Sequence, residues 1–139
     1  AVADVQRNWA MKRILVSAAV WAVMLSPARA ALFSVVPSPD SHDSLPGDGV
    51  CADDGAICSL RAAIEEANAL PGRDTVQVAG GHVYELEFGA LLLADAIDIV
   101  GGGVGTIIDG NRNDRVVAVE DPLVEATIAQ LEMYNGEFE

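Results

Sequence analysis

The chain has 139 residues, enough for one domain and short of two. Eight Lys and Arg stand against 21 Asp and Glu, and because four of the basic residues fall in the first 30 positions, residues 31–139 keep 4 basic against 20 acidic, a charge of −16. That balance excludes nucleic acid and anionic lipid as natural partners, since both demand a basic surface, and an apolar content of 51% argues against disorder.

Residues 1–10 (AVADVQRNWA) contain no Met and precede a basic segment, so they read as an upstream mis-start. Met11-Lys12-Arg13 is positive, Ile14 to Leu25 is twelve residues without charge, and Ser26-Pro27 leads into the small-x-small site Ala28-Arg29-Ala30. This is the three-part plan of a secretory signal peptide over residues 11–30, with cleavage after Ala30. As a helix, twelve residues rise about 18 Å, too short for a hydrocarbon core of roughly 30 Å. Further on, Leu91–Ala94 and Ile97–Val100 are interrupted by Asp95 and Asp98, so the chain is expected to be exported and not to span a membrane in this region.

Cys51 and Cys58 follow with six residues between them. An even, closely spaced pair in an exported chain predicts a disulfide. Zinc would need about four ligands, and His42 is the only histidine nearby. A redox pair would normally be C-x-x-C. The surrounding residues 40–55 are rich in Gly, Pro, Ser and Asp. Calcium takes six to eight oxygens, which makes Asp48, Asp53 and Asp54 candidate ligands. The spacing does not fit an EF-hand, and the plainer expectation is a solvated acidic turn region with no cofactor.

Ser59 can cap a helix N-terminus. Leu60, Ala63, Ile64 and Ala67 recur at i, i+3, i+4 and i+7, and Pro71-Gly72 stops the pattern, which predicts a helix over 59–70. Leu60, Ala63, Ile64 and Ala67 form its core face. Arg61, Glu65, Glu66 and Asn68 fall on the other side, so Glu66→Ala is expected to be nearly silent. Downstream, β-type runs at 75–79, 83–88, 96–100, 106–109, 116–120 and 126–132 are separated by glycines or Asp121-Pro122. Val76 and Ile97, Val78 and Ile99, and Leu86, Ile107 and Ile128 are each spaced by 21. A period of 20–25 with two or three short strands per turn suits a parallel β-helix better than a sandwich of hairpins.

The segment from Cys58-Ser-Leu-Arg to Ala69, preceded by Gly47-Asp-Gly-Val-Cys51, resembles the CSLREA domain. That domain opens many exported bacterial proteins built of right-handed parallel β-helix repeats. Its motif is matched at Cys58, Ser59, Leu60, Arg61, Ala63, Ile64, Ala67 and Asn68, while Ala62 stands where the motif has Glu. That exchange loses one half of a capping box. Ile97-x-Ile99-x-Gly101, Thr106-Ile-Ile-Asp-Gly110 and Asn135-Gly136 resemble coils of such proteins, so the likeness covers roughly residues 33–136.

The resemblance implies a mainly β fold: the start of a right-handed parallel, pectin-lyase-like β-helix closed by an amphipathic capping helix. It implies a cap region over 31–74 and first coils over 75–139. It places the protein outside the cell or at a bacterial surface or outer membrane. The last residues, Gly136-Glu-Phe-Glu139, carry no closing element. The expectation is therefore a fragment whose last coil exposes Ile128 and Leu131 and self-associates.

The sequence presents no catalytic constellation. His42 and His82 have no Ser or Cys at a telling spacing, and the only lysine is Lys12. Asp95, Asp98, Asp109, Asp114, Arg112 and Arg115 are the candidates for a lyase or glycosidase set, and nothing in their spacing fixes two carboxylates at the separation such chemistry needs. The expected function is a structural or adhesive surface protein, with an extracellular glycan or surface partner. A carbohydrate-active enzyme with its site in further coils and a calcium-binding secreted module are the alternatives.

Overall fold

A computed structural model describes residues 29–137. The segment read as a signal peptide lies outside the described residues apart from Arg29 and Ala30, as do the ten residues before it. The elements in chain order are β1 (Leu32–Val35), α1 (Leu60–Ala69), β2 (Asp74–Val78), β3 (Val83–Glu85), β4 (Leu91–Leu93), β5 (Ile97–Gly101), β6 (Ile107–Asp109), β7 (Val117–Val119), β8 (Ala126–Ala129) and β9 (Glu132–Tyr134). Among the described residues the fold is mainly β, with one helix, and every strand pairing is parallel.

The strands form three sheets, ordered β1-β2-β5-β8, β3-β6-β9 and β4-β7. From β2 onward successive strands thus enter the three sheets in the same rotation, and each from β5 on lies beside the strand that preceded it by one round. Alternation decides what faces inward. Val76 and Val78, Ile97 and Ile99, and Leu91 and Leu93 are buried, and their neighbours Gln77 and Leu92 are exposed. Phe33, Val76 and Ile99 stand in register, with Ile128 below them in β8. Each fully buried Val, Ile or Leu contributes about 1.5–3 kcal/mol.

The spacing of 21 is not the structural repeat. Val76 pairs with Ile99 and Ile99 with Ile128, steps of 23 and 29. Tyr84 pairs with Ile108 and Ile108 with Met133, steps of 24 and 25. Leu92 pairs with Ala118, a step of 26. The error has a simple cause. A strand repeats its inward face every two residues, so a register two positions off overlays Val76-x-Val78 on Ile97-x-Ile99 equally well. Two strands also escaped the sequence reading, β1 and β4, and the run 126–132 proves to be two strands in different sheets.

The turn from the first sheet to the second brings successive rounds of backbone into contact. A Cβ on Gly102 would lie 2.3 Å from the Gly80 nitrogen, and one on Gly101 would lie 2.2 Å from the Gln130 carbonyl oxygen. Gly102→Ala is therefore expected to cost about 1–3 kcal/mol through overpacking. Chemical denaturation measures it, with the exposed Val104→Ala as a control that should move by under about 0.5 kcal/mol.

At the far end, β7, β8 and β9 are the last strands of their sheets. Ile128 and Leu131 are partly buried there, against expectation, because both pack on the core. The apolar groups left exposed are Val119, Leu123, Met133 and Tyr134.

Candidate functional site

The most elaborate polar construction in the described residues surrounds α1. Ser59 caps the helix, its Oγ accepting from the Ala62 N–H at 3.1 Å and donating to the Ser41 carbonyl at 2.6 Å. Ala62 has no side chain to reach back to the Ser59 N–H, and the Ser59 hydroxyl instead ties the start of the helix to the preceding loop. Leu60, Ala63, Ile64 and Ala67 are buried, and the helix rests on β1, β2 and β4.

Strand β4 opens its sheet and has one free edge. Side chains occupy that edge as a strand would. Asn68 Nδ2 donates to the Leu92 carbonyl at 2.7 Å, and Asn68 Oδ1 accepts from the N–H groups of Ala94 and Asp95 at 2.9 and 3.3 Å. Arg61 donates to the carbonyls of Gly89 and Ala90 at 2.7 and 3.2 Å. Asp40 Oδ2 accepts from the N–H groups of Glu87 and Phe88 at 2.8 and 3.1 Å. Arg61 and Asp40 are themselves joined by two parallel bonds of 2.9 Å, a buried bidentate pair. An exposed edge invites pairing with another chain, and this arrangement removes it. Asn68→Ala should cost about 0.5–1.5 kcal/mol, since water can take up these solvent-facing groups, with faster amide exchange at Ala94 and Asp95 as the local readout.

The sequence reading put Arg61 and Glu66 on an outer face. The structure corrects this: both are buried, Glu66 completely. The cap loop, residues 36–58, covers the side of α1 that faces away from the sheets. Both Glu66 carboxylate oxygens accept hydrogen bonds, one from Gly47 N–H and the other from Gly49 N–H. Gly47 and Gly49 have φ of 97° and 87°, a region that glycine enters without strain, and so both N–H groups reach one carboxyl group. Burial pushes Glu66 above the ordinary glutamate range, although the two glycine N–H bonds pull the other way. Glu65 accepts from Asp43 N–H at 2.8 Å and pairs with His42 Nδ1 at 2.6 Å. His42 in turn stacks obliquely on Phe88.

Cys51 and Cys58 form a disulfide across this loop. Alkylation of the protein without reduction, followed by mass spectrometry, should leave both unlabelled. The crosslink is expected to contribute about 2.5 kcal/mol on loop entropy. Inside the ring, Asp53 Oδ1 accepts from Gly55 and Ile57 N–H, and Oδ2 accepts from Ser41 Oγ. The Ile57 N–H, with the Ser41 hydroxyl, holds the Asp53 carboxyl below its usual range.

The calcium candidates are not brought together as a ligand set. Asp48 Oδ1 accepts from Val50 N–H, Asp53 is occupied as described, and Asp54 sits with Asp53 on the wall of an open polar cavity of about 480 Å³. Among the described residues no three His, Cys, Asp or Glu side chains are placed to hold a metal ion. The carboxylates weighed for glycan chemistry are likewise spread over local duties. Asp95 accepts from Ala96 N–H, and Asp114 from Arg115 N–H. Asp109 is held low by Asn111 N–H and by the Asn135 amide, which spans to the next round. Asp98 is held low by Arg73, whose guanidinium also reaches Glu125 and Thr127. Arg73 thereby fastens β2 to β5 and β8. His82 is exposed in a turn.

The sequence reading missed Asp40 and Glu66 as partners of the motif. The Gly47-Asp-Gly49 pair was the available signal, because glycines so spaced expose N–H groups that need an acceptor. No family model, no curated protein and no solved structure matches the chain. Among the described residues no helix is long and apolar enough to cross a membrane.

Proposed function

We propose that this chain is the cap and first coils of an exported, right-handed parallel β-helix protein of the CSLREA type, with a structural or adhesive role at a bacterial surface. The observation that carries the reading is the rotation of successive strands through three parallel sheets, with one end closed by α1 and the disulfide loop. Right-handedness follows the general rule for parallel crossovers. The motif residues support the architectural reading. Ser59, Arg61 and Asn68 spend their polar groups on capping and edge closure, while Leu60, Ala63, Ile64 and Ala67 are buried. A motif consumed in this way is a scaffold signature, and glycan or surface contact then falls to the exposed faces of the coils.

The deciding experiment is export. The chain is expressed from Met11 in a bacterial host, the exported fraction is collected, and its N-terminus is sequenced. The expected product begins at Ala31 with Cys51 and Cys58 oxidised. A product that stays in the cytoplasm with residues 11–30 intact overturns the reading.

A further inference from the structure

Among the described residues two buried carboxyl oxygens accept no hydrogen bond, Asp43 Oδ2 and Asp74 Oδ2. Asp74 heads β2 and takes the Ala31 N–H on its other oxygen at 2.7 Å. Asp43 is different, because it lies within hydrogen-bonding reach of a second buried carboxyl group, that of Glu66. Asp43 Oδ1 accepts from Ala52 N–H at 3.2 Å. Both Glu66 oxygens take glycine N–H groups. Between Asp43 and Glu66 no protein donor remains, and two ionised carboxylates cannot share such a site without strong repulsion.

We propose that Asp43 and Glu66 form an acid-stabilised latch: one proton shared between the two carboxyl groups clamps the loop 43–52 onto α1, and its loss loosens that loop. The pair is well placed for this. Asp43 grips one end of the loop and the Ala52 N–H, and Glu66 grips its middle through Gly47 and Gly49. The other charged groups nearby are already engaged. Glu65 pairs with His42, Arg61 with Asp40, and Asp74 with the Ala31 N–H, while β1 and β4 offer apolar side chains to the helix. Among the described residues Asp43 acts on Glu66 directly, while Asp48, between the two glycines, turns its carboxylate to the Val50 N–H.

The sign follows from the raised value of Glu66. A carboxyl that titrates higher in the folded chain than in the unfolded chain stabilises the fold fully at pH values below its ordinary range. That contribution is lost as the pH rises through the raised value. The disulfide between Cys51 and Cys58 limits how far the loop moves, so the expected change is local loosening.

The test uses the full chain and the amide resonances of Gly47 and Gly49, followed from pH 4 to 8, together with the melting temperature. In the native chain both resonances should move together along one single-proton curve, and the melting temperature should fall over the same interval. Asp43→Asn puts an N–H where the proton was and frees Glu66 to stay ionised. Its glycine resonances should be flat, and its melting temperature should exceed that of the native chain increasingly toward pH 8. Flat glycine resonances in the native chain overturn the proposal, even if Asp43→Asn does not fold. So does a native titration that millimolar calcium abolishes, which would put a cation where the proton is placed.

Discussion

Arg61→Ala should lower the stability of the chain by about 3–5 kcal/mol, the range for removing one partner from a buried ion pair. The side chains of Arg61 and Asp40 are 6% and 1% exposed. Without the guanidinium, Asp40 keeps only the N–H groups of Glu87 and Phe88, and the carbonyls of Gly89 and Ala90 lose their donor. Urea denaturation of the single variants Arg61→Ala and Asp40→Ala and of their double measures the coupling. The double should fall well short of the sum, because most of the cost of either single change is the charge it strands. Additive losses would mean that the pair does not act as a unit.

Ile64→Asp should cost more than about 4 kcal/mol, enough to leave the cap unfolded at ordinary temperatures. Ile64 is 1% exposed and lies in the apolar cluster with Phe33, Val76 and Leu91. The change removes a large buried side chain and puts a carboxylate beneath the helix without a donor. Loss of the helical circular dichroism signal at moderate denaturant is the readout. A stable Ile64→Asp chain would mean that α1 does not cover the sheets at all.

The helix itself was legible. The stripe Leu60, Ala63, Ile64, Ala67, the cap at Ser59 and the stop at Pro71-Gly72 place it within one residue at each end. The alternation in β2 and β5 was equally plain. What the sequence concealed was a helix covered on two sides. A wheel with one apolar stripe reads as a surface helix, whereas Arg61 and Glu66 are buried against polar partners on the cap loop that have no period to betray them. Glu66→Ala is therefore no silent change, since it would orphan the N–H groups of Gly47 and Gly49. Strand β4 was hidden for a different reason: Leu91-Leu92-Leu93 does not alternate in type, though it alternates in burial. Strand β1 pairs with residues 43 positions downstream, which no local window can see. Within the candidate site, the disulfide was readable from its spacing, and the Asp40 contacts, made at separations of 21 to 48 residues, were not.

The closure of the β4 edge by Asn68, Arg61 and Asp40 gives the molecule a direction. The sealed end is built by the earliest part of the described chain and the open strands by the latest, so a nascent chain completes its stopper before the sheets have much length. Every later strand then meets a finished neighbour on one side and solvent on the other. Assembly in the order of synthesis is then expected to run as growth from a seed with one blocked face. A fault in the seed would be inherited by each round laid on it, whereas a fault in the last round would spoil only itself.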